Sequence, residues 1–150
     1  MSQKHEGDIF KIPLGDGTQA YAIAFRDPLF GFFDIRSEDE VAVSEIEKGK
    51  IIFCVWVMKY AVSKGIWKKV GTTSKFDGMY DEVSFYKQDA FNGRLTSYTN
   101  GVESPIDYEA AQTMEAAAVW DPEHVEDRLR DHFAGVPNKW VESLRPKRRN

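Results

Sequence analysis

Two short runs of alternating residues flank the tripeptide Gly15-Asp16-Gly17, and they constrain the fold more than any other feature of the sequence. Apolar side chains recur with a period of two in residues 9–14, and alanine alternates with larger apolar residues in residues 20–25. This period is typical of β-strands, and two such runs around a glycine-rich turn predict a β-hairpin. Pro13 lacks an amide hydrogen, which predicts a position at a sheet edge or a bulge.

Further strand patterns occupy most of the first two thirds of the chain. Residues 51–60 give the strongest pattern, rich in β-branched and aromatic residues and apolar on both faces at its start, which predicts a central strand. Residues 30–35, 67–70 and 83–87 are shorter candidates. The acidic stretch 37–49 fits either a loop or a short helix.

The dipeptide Asn100-Gly101 is a strong turn signal, because both residues tolerate the positive φ angles of a type I′ turn. It predicts a hairpin between residues 95–99 and 102–106.

Residues 108–119 are rich in alanine and predict a helix, with an extended Val119-Trp120 as the alternative. Asp121-Pro122 predicts a helix start, in which the aspartate caps free amides and proline takes the first helical position. Gly135 predicts its end.

These patterns predict an α+β fold, in which the C-terminal helices pack against a curved antiparallel β-sheet. A barrel-like closure of the sheet is the alternative. We expect one domain over residues 1–150, because this length suffices for one hydrophobic core. Residues 145–150 form a basic tail that we expect to be frayed.

Charge is distributed unevenly along the chain. The net charge is −4, but the last six residues carry four positive side chains, so the rest of the chain carries −8. An acidic body disfavours nucleic acid as the partner and suits a basic protein surface, although solubility alone would also explain it. The tail is short and lacks interleaved aromatic residues, so we do not expect it to bind nucleic acid.

Three observations predict a cytoplasmic protein without a membrane segment. Residues 1–10 contain no apolar stretch that resembles a signal peptide. The longest apolar run, residues 51–58, is too short to span a bilayer as a helix. Cys54 is the only cysteine and cannot form an internal disulfide.

No residue pattern indicates catalysis, a metal or another cofactor. His124 and His132 lie two helical turns apart, which favours a solvated helix face over a metal site. Cys54 lies in the most apolar strand and predicts an inert core thiol. Asp8 and Asp34 could form a carboxylate pair, but aspartates at strand ends more often bind turn amides.

The sequence contains one more arginine and four tryptophans whose roles need interpretation. Two of the tryptophans are predicted to lie in the core, and each of the other three residues has two open interpretations. Arg128 is flanked by carboxylates and forms either ordinary surface ion pairs or a buried structural contact. Trp56 and Trp67 lie in strands and predict core positions. Trp120 and Trp140 flank the last predicted helix, where they cover its ends or contact a partner.

Several motifs together resemble the Immunity protein 26 family of bacterial polymorphic-toxin systems. They are Gly7-Asp8-Ile9-Phe10-Lys11-Ile12-Pro13-Leu14, Asp16-Gly17 with Tyr21, Phe33-Asp34-Ile35, Val55-Trp56-Val57-Met58, and Trp67 with Gly71. The resemblance covers roughly the first two thirds of the chain and extends less firmly over residues 120–133. It implies a non-enzymatic protein that binds and neutralises the C-terminal effector domain of a cognate toxin, by occlusion. Such families offer no catalytic residues to transfer.

We expect the partner-binding surface to include two acidic groups. They are Glu38, Asp39 and Glu40, and then Asp77, Asp81 and Glu82 in the polar loop after Gly71. Acidic residues would speed the capture of a basic nuclease effector, although ordinary solvated loops have the same composition. Two other functions stay open at this stage. One is a small-barrel adaptor that binds nucleic acid or a peptide, and the other is a hydrolase with paired carboxylates.

Overall fold

The computed structural model of the protein describes residues 5–148, which form ten strands and five helices. The strands are β1 (Asp8–Pro13), β2 (Gln19–Ala24), β3 (Leu29–Phe33), β4 (Ile51–Val57), β5 (Lys68–Thr72), β6 (Phe85–Gln88), β7 (Leu95–Thr99), β8 (Val102–Pro105), β9 (Glu115–Ala116) and β10 (Val119–Trp120). The helices are α1 (Val43–Ile46), α2 (Tyr60–Ser63), α3 (Tyr108–Gln112), α4 (Pro122–Ala134) and α5 (Lys139–Ser143).

The strands form two open sheets, and the predicted α+β class is confirmed. Sheet A has the order β10-β4-β3-β2-β1-β5, and sheet B has the order β8-β7-β6-β9. Neither sheet closes on itself within residues 5–148, so the barrel-like alternative is wrong. The sheets are also mixed, because β10 pairs parallel to β4 and β9 pairs parallel to β6.

Both predicted hairpins are confirmed. β1 pairs antiparallel with β2 around Gly15 and Gly17, whose φ angles are 78° and 85°. β7 pairs antiparallel with β8, and φ is 50° at Asn100 and 81° at Gly101. Pro13 lies where β1 has a neighbour on one side only, as predicted for a sheet-edge position, although the rest of β1 lies between β2 and β5. β5 pairs with β1 only up to Lys11, so the missing amide hydrogen of Pro13 costs no ladder hydrogen bond.

Sheet A is covered on both faces, as the apolar runs of its strands require. One face packs under α4 through a cluster of buried residues that includes Phe10, Ile12, Ala20, Ala22, Phe30, Phe32, Trp67, Val125 and Leu129. The other face is covered by α1 and by the loop after β5, through a second cluster that includes Ile9, Tyr21, Ile23, Phe33, Ile46 and Phe76. β4 is an interior strand of this sheet rather than its central one, since only β10 lies beyond it.

The alanine-rich stretch forms only one short helix. α3 ends at Gln112, and the residues after it are extended in β9 and β10, so the prediction of a helix over residues 108–119 is wrong beyond α3. The alternative of an extended Val119-Trp120 is confirmed, because Trp120 pairs with Val57. Backbone pairing with β6 and β4 outweighs the helix propensity of alanine here.

Helix α4 has the predicted bounds but not the predicted capping contact. Pro122 occupies the first helical turn, and Gly135 ends the helix with a φ of 71°. The Asp121 side chain caps no amide. It lies instead 3.5 Å from the Tyr60 hydroxyl and 3.7 Å from Nδ1 of His124.

The C-terminal residues fold back onto sheet B and add α5, which the sequence analysis does not predict. The Gln88 side chain donates to the Lys147 carbonyl at 2.7 Å and accepts from the Lys147 amide at 2.9 Å. Arg148 pairs with Glu109 at 2.9 Å. The prediction of a frayed tail is therefore wrong for residues 145–148, and residues 149–150 lie outside the described residues. Among the described helices, none combines the length and apolar character that a membrane crossing needs.

Candidate functional site

The first predicted acidic group, Glu38, Asp39 and Glu40, lies on an exposed segment between β3 and α1. We call these three residues the first acidic segment. Its start is fixed to sheet A by an isolated bridge, in which Gln19 and Ser37 exchange backbone hydrogen bonds of 2.9 and 3.0 Å. Glu40 forms an ion pair of 3.0 Å with Lys11. The segment is thus connected to two strands of the sheet.

Tyr21 holds this segment from beneath. Its ring is fully buried in sheet A, at 0% exposure. Its hydroxyl group lies 3.1 Å from the Ser37 hydroxyl and accepts a hydrogen bond of 2.9 Å from the Val41 amide. One buried oxygen therefore contacts the residues on both sides of the first acidic segment, and this order lowers the entropy cost of binding a partner.

More carboxylates flank the first acidic segment. A shallow cavity of about 450 Å³ is lined by Thr18, Asp34, Arg36, Ser37, Glu38 and Phe133. The Asp34 carboxylate lies 2.9 Å from Nε2 of His132. Hydrogen bonds from Thr18 hold the pKa of Asp16 below its ordinary value, so this nearby carboxylate stays ionised.

The second predicted acidic group, Asp77, Asp81 and Glu82, lies on the loop between β5 and β6. All three residues are exposed. Two aromatic contacts order the loop: the Phe76 ring lies 5.8 Å from the ring of Phe33, and the Tyr80 ring stacks on Phe25 at 4.7 Å. The loop therefore covers the same face of sheet A as α1, the helix that follows the first acidic segment.

Asp81 also lines a cleft between the two sheets, which the sequence analysis does not predict. We call it the aromatic cleft. Its volume is about 280 Å³. Its lining residues are Arg26, Asp27, Pro28, Leu29, Trp56, Tyr80, Asp81, Val83, Phe85, Tyr98, Asn100 and Gly101.

Trp56 joins the two sheets in this cleft. Its ring lies 4.4 Å from the ring of Phe85 and 5.8 Å from that of Tyr98. The sequence analysis assigns Trp56 to the core, whereas the side chain is only partly buried and forms a wall of the cleft. The sequence signal for this cleft is a tryptophan in an interior strand. The cleft itself could not be predicted from it, because the strands that supply Phe85 and Tyr98 are distant along the chain.

Arg128 is a structural residue, and the interpretation as an ordinary surface ion pair is wrong. Its side chain is 13% exposed and donates two hydrogen bonds to Glu115, of 2.9 and 2.8 Å. The guanidinium group also lies 3.6 Å from the ring centroid of Phe53. This bidentate, stacked geometry is the one that arginine adopts in strong ion pairs. Arg128 thereby connects α4 with β4 and β9.

The histidines on α4 each have a separate partner. His124 stacks on Trp140 with 3.6 Å between ring centroids, while His132 contacts Asp34. The face that they share with Arg128 is therefore packed at His124 and Arg128 but exposed at His132, so the expectation of a solvated face holds only for His132. Within residues 5–148, no three His, Cys, Asp or Glu side chains are grouped as metal ligands would be.

Asp8 and Asp34 do not form a carboxylate pair. β1 and β3 run in the same direction, because each is antiparallel to β2. Asp8 begins β1 and Asp34 follows the end of β3, so the two lie at opposite ends of sheet A. Asp8 is buried, forms an ion pair of 3.2 Å with Lys69 and accepts from the His5 amide at 2.8 Å.

Cys54 has the properties of an inert core thiol. It is buried in β4. Burial, together with the negative charge of Glu115, raises its pKa to about 12. Since the thiolate is the reactive form, the thiol is unreactive at neutral pH.

Phe91 is an exposed aromatic residue that the sequence analysis misses. It lies on the turn between β6 and β7 and is 93% exposed. The Asp89 side chain accepts hydrogen bonds from the amides of Phe91 and Asn92, at 2.8 and 3.0 Å. The turn is thus ordered although its aromatic side chain makes no core contact.

In fold class the chain is an α+β protein with two acidic segments and an aromatic cleft on its surface. Comparison with models of known protein families matches Immunity protein 26 over residues 5–94, which is more than half of the chain. The chain therefore belongs to the Immunity protein 26 family. Membership implies a toxin as the partner, and immunity protein families are generally non-enzymatic. Comparisons with curated proteins and with solved structures found no match.

Proposed function

We propose that this protein binds the C-terminal effector domain of a cognate bacterial toxin and neutralises it by occlusion. Membership of the Immunity protein 26 family supports this proposal. The matched residues 5–94 include the first acidic segment and the second acidic group. We further propose that the encounter takes place in the cytoplasm, where a lone thiol such as Cys54 stays reduced.

The first acidic segment is the proposed centre of the toxin-binding surface. Its three carboxylates are exposed, and buried Tyr21 holds the residues on either side of them. An ordered loop loses little entropy on binding, so its contacts contribute more of their free energy to affinity. Asp77, Asp81 and Glu82 extend the proposed surface along the loop after β5.

The charge of the surface favours a basic effector domain, such as a nuclease. The chain apart from its last six residues carries a net charge of −8. Complementary charge raises the association rate and rejects partners of the wrong sign. Protection of the cell also requires slow dissociation, which corresponds to a binding free energy of about −12 kcal/mol or stronger. An interface of roughly 800 Å² on each partner can supply it.

The two other hypotheses have no geometric support among residues 5–148. The sheets are open, which removes the small barrel on which the adaptor hypothesis depends. Lys147 and Arg148 of the basic tail are engaged with Gln88 and Glu109. The carboxylate pair considered for a hydrolase lies at opposite ends of sheet A.

Co-expression with the toxin encoded beside this gene tests the proposal. We expect the protein to restore growth of cells that express the effector domain, and to form a stable complex with it in calorimetry. An effector domain that remains lethal and does not bind the purified protein would contradict the proposal.

Charge reversal tests the proposed surface. The double variant Glu38→Lys/Asp39→Lys spares Glu40 and its ion pair with Lys11. We expect it to lower the affinity at least about tenfold, mainly through the association rate. The matched control is Glu123→Lys/Glu142→Lys, which makes the same change in net charge on α4 and α5, over the opposite face of sheet A. Equal losses for both variants would mean that only net charge matters.

A further inference from the structure

We propose that the aromatic cleft is a receptor for one arginine side chain on the surface of the toxin. The inference rests on the proposed function and adds to it a second contact site, with a defined chemistry, at the junction of the two sheets. Three observations on the cleft support it: its partly accessible aromatic rings, the Asp81 carboxylate in its lining, and its size.

Parts of three aromatic rings stay accessible in the cleft, although Lys87 already lies over the Tyr98 ring, 4.5 Å from its centroid. Trp56 and Tyr98 are nearly perpendicular, at 89°, with 5.8 Å between their centroids. Tyr80 lines the same cleft from the loop after β5 and is itself fixed by stacking on Phe25. All three side chains are partly buried, so they are held in place while part of each stays accessible. Arginine stacks on such rings by cation–π interaction.

Asp81 is the group in the cleft that can bind a cation. The lining also contains Arg26 and Asp27, but Asp27 already interacts within the protein. Within residues 5–148, no Lys, Arg or His nitrogen lies within ion-pair distance of the Asp81 carboxylate. Asp81 is therefore available to accept the two parallel hydrogen bonds that a guanidinium group donates. Asp77, by contrast, lies on the same loop but does not line the cleft.

The size of the cleft fits a single side chain. Its volume of about 280 Å³ lies just below the roughly 300–1,000 Å³ of pockets that enclose small-molecule ligands. One long side chain of a partner can enter such a cleft, with its alkyl part against the rings and its charged end at Asp81. In protein interfaces, arginine and aromatic residues in pockets supply much of the binding energy.

A small probe tests the cleft without the toxin. The probe is N-acetyl-arginine methylamide, and its neutral counterpart of the same shape is N-acetyl-citrulline methylamide. Binding is followed by NMR through the indole N–H of Trp56 and the amide of Gly101. We expect saturable shifts with the arginine probe in the millimolar range, and at least about tenfold weaker binding of the citrulline probe. No saturable shift, or equal binding of both probes, would overturn the proposal.

Two isosteric variants sharpen this test. Asp81→Asn should weaken the arginine probe about tenfold, while the control Asp77→Asn should leave its binding unchanged. Both residues are exposed, and thermal unfolding checks that each variant keeps the fold. If Asp81→Asn does not fold, Trp56→Phe replaces it, with the same expected loss. Unchanged arginine binding by the folded variant would contradict a role for the cleft.

The outcome of this test can be separated from that of the proposed function. If the protein rescues cells from the toxin but the cleft fails to discriminate arginine from citrulline, only the cleft proposal is wrong. If rescue and toxin binding both fail, the proposed function is wrong whatever the probe shows. If both hold, Asp81→Asn should also weaken toxin binding at least about tenfold, while Asp77→Asn should weaken it less. An Asp81→Asn variant that binds the toxin as the wild type does would overturn the cleft proposal.

Discussion

The hydroxyl group of Tyr21 accepts a hydrogen bond of 2.9 Å from the backbone amide of Val41. Tyr21 belongs to the buried centre of sheet A, whereas Val41 follows the first acidic segment at the surface. The contact therefore transmits the rigidity of the sheet to a proposed binding surface. This hydrogen bond depends on one oxygen atom, the Tyr21 hydroxyl, so a single substitution can remove it.

Tyr21→Phe should loosen the first acidic segment without changing the core. The phenyl ring keeps the packing, but the Val41 amide loses its acceptor and Ser37 loses its partner, which costs about 1–2 kcal/mol of unfolding free energy. Urea denaturation measures this loss, and hydrogen exchange should accelerate at the Val41 amide. Tyr60→Phe is the control, since its hydroxyl makes only a 3.5 Å contact with Asp121. Unchanged exchange at Val41 would show that the hydroxyl does not order the segment.

Arg128→Met should destabilise the protein by about 2 kcal/mol, because Glu115 then loses its partner in a partly buried site. The double variant Arg128→Met/Glu115→Met should recover part of that loss, since no unpaired charge remains. Arg128→Lys should be intermediate, because lysine cannot form the bidentate contact. Denaturant titration of the three variants checks the order. A double variant less stable than Arg128→Met would contradict this account.

The elements that the sequence predicts are those that neighbouring residues determine. Asn100-Gly101 and Gly15-Asp16-Gly17 supply their own turn geometry, and Pro122 and Gly135 delimit α4 through local backbone preferences. The alternation in β1 and β2 likewise follows from the two faces of one sheet. These predictions need no knowledge of distant partners.

The elements that the sequence does not predict depend on distant partners. β9 and β10 are two residues long and exist only through pairing with β6 and β4. The aromatic cleft likewise needs Trp56 and Tyr98 from different sheets. The acidic groups could be predicted as charged loops, but the contact with Tyr21 that orders one of them depends on tertiary structure. Composition therefore indicates the candidate surface, and packing gives it a defined geometry.

Truncation of Phe32 should cost far more unfolding free energy than truncation of Phe91, although both residues are phenylalanines. Phe91→Ser should change the unfolding free energy by less than about 0.5 kcal/mol, because its side chain is 93% exposed. Phe32→Ala should cost about 3–5 kcal/mol, because Phe32 is fully buried among aromatic rings. Urea denaturation compares the two variants. A large loss for Phe91→Ser would mean that the turn packs against other residues.

The Cys54 thiol should give alkaline pH a measurable effect on stability. Folding raises its pKa from 9.0 to about 12, mainly through burial, so the folded state favours the protonated thiol. This stabilisation is fully present below pH 9 and is lost as the pH rises towards 12. The stability difference between wild type and Cys54→Ala should therefore shrink between pH 8 and pH 11, as measured by denaturant titration. A constant difference would contradict the raised pKa, as would rapid reaction of the native thiol with Ellman's reagent at pH 8.

Glu126→Gln should stabilise the protein at neutral pH, although it removes a charge from a helix that carries several ion pairs. Burial raises the pKa of Glu126 above its ordinary 4.5, against the opposing effects of a hydrogen bond from Trp67 and the charge of Arg130. The folded state thus favours the protonated carboxyl group, and the stability that protonation contributes is present below pH 4.5 and is lost as the pH rises. Glutamine keeps an acceptor for the Trp67 indole N–H, which donates to Glu126 at 3.0 Å, without the cost of burying a charge. The melting temperature of the variant should exceed that of the wild type at pH 7, and the two should converge near pH 3.5, where the carboxyl group is protonated.

Glu123→Gln, on the exposed side of the same helix, controls for the change in net charge. A variant that melts below the wild type at pH 7 would show that the charged form of Glu126 is the one that the fold requires.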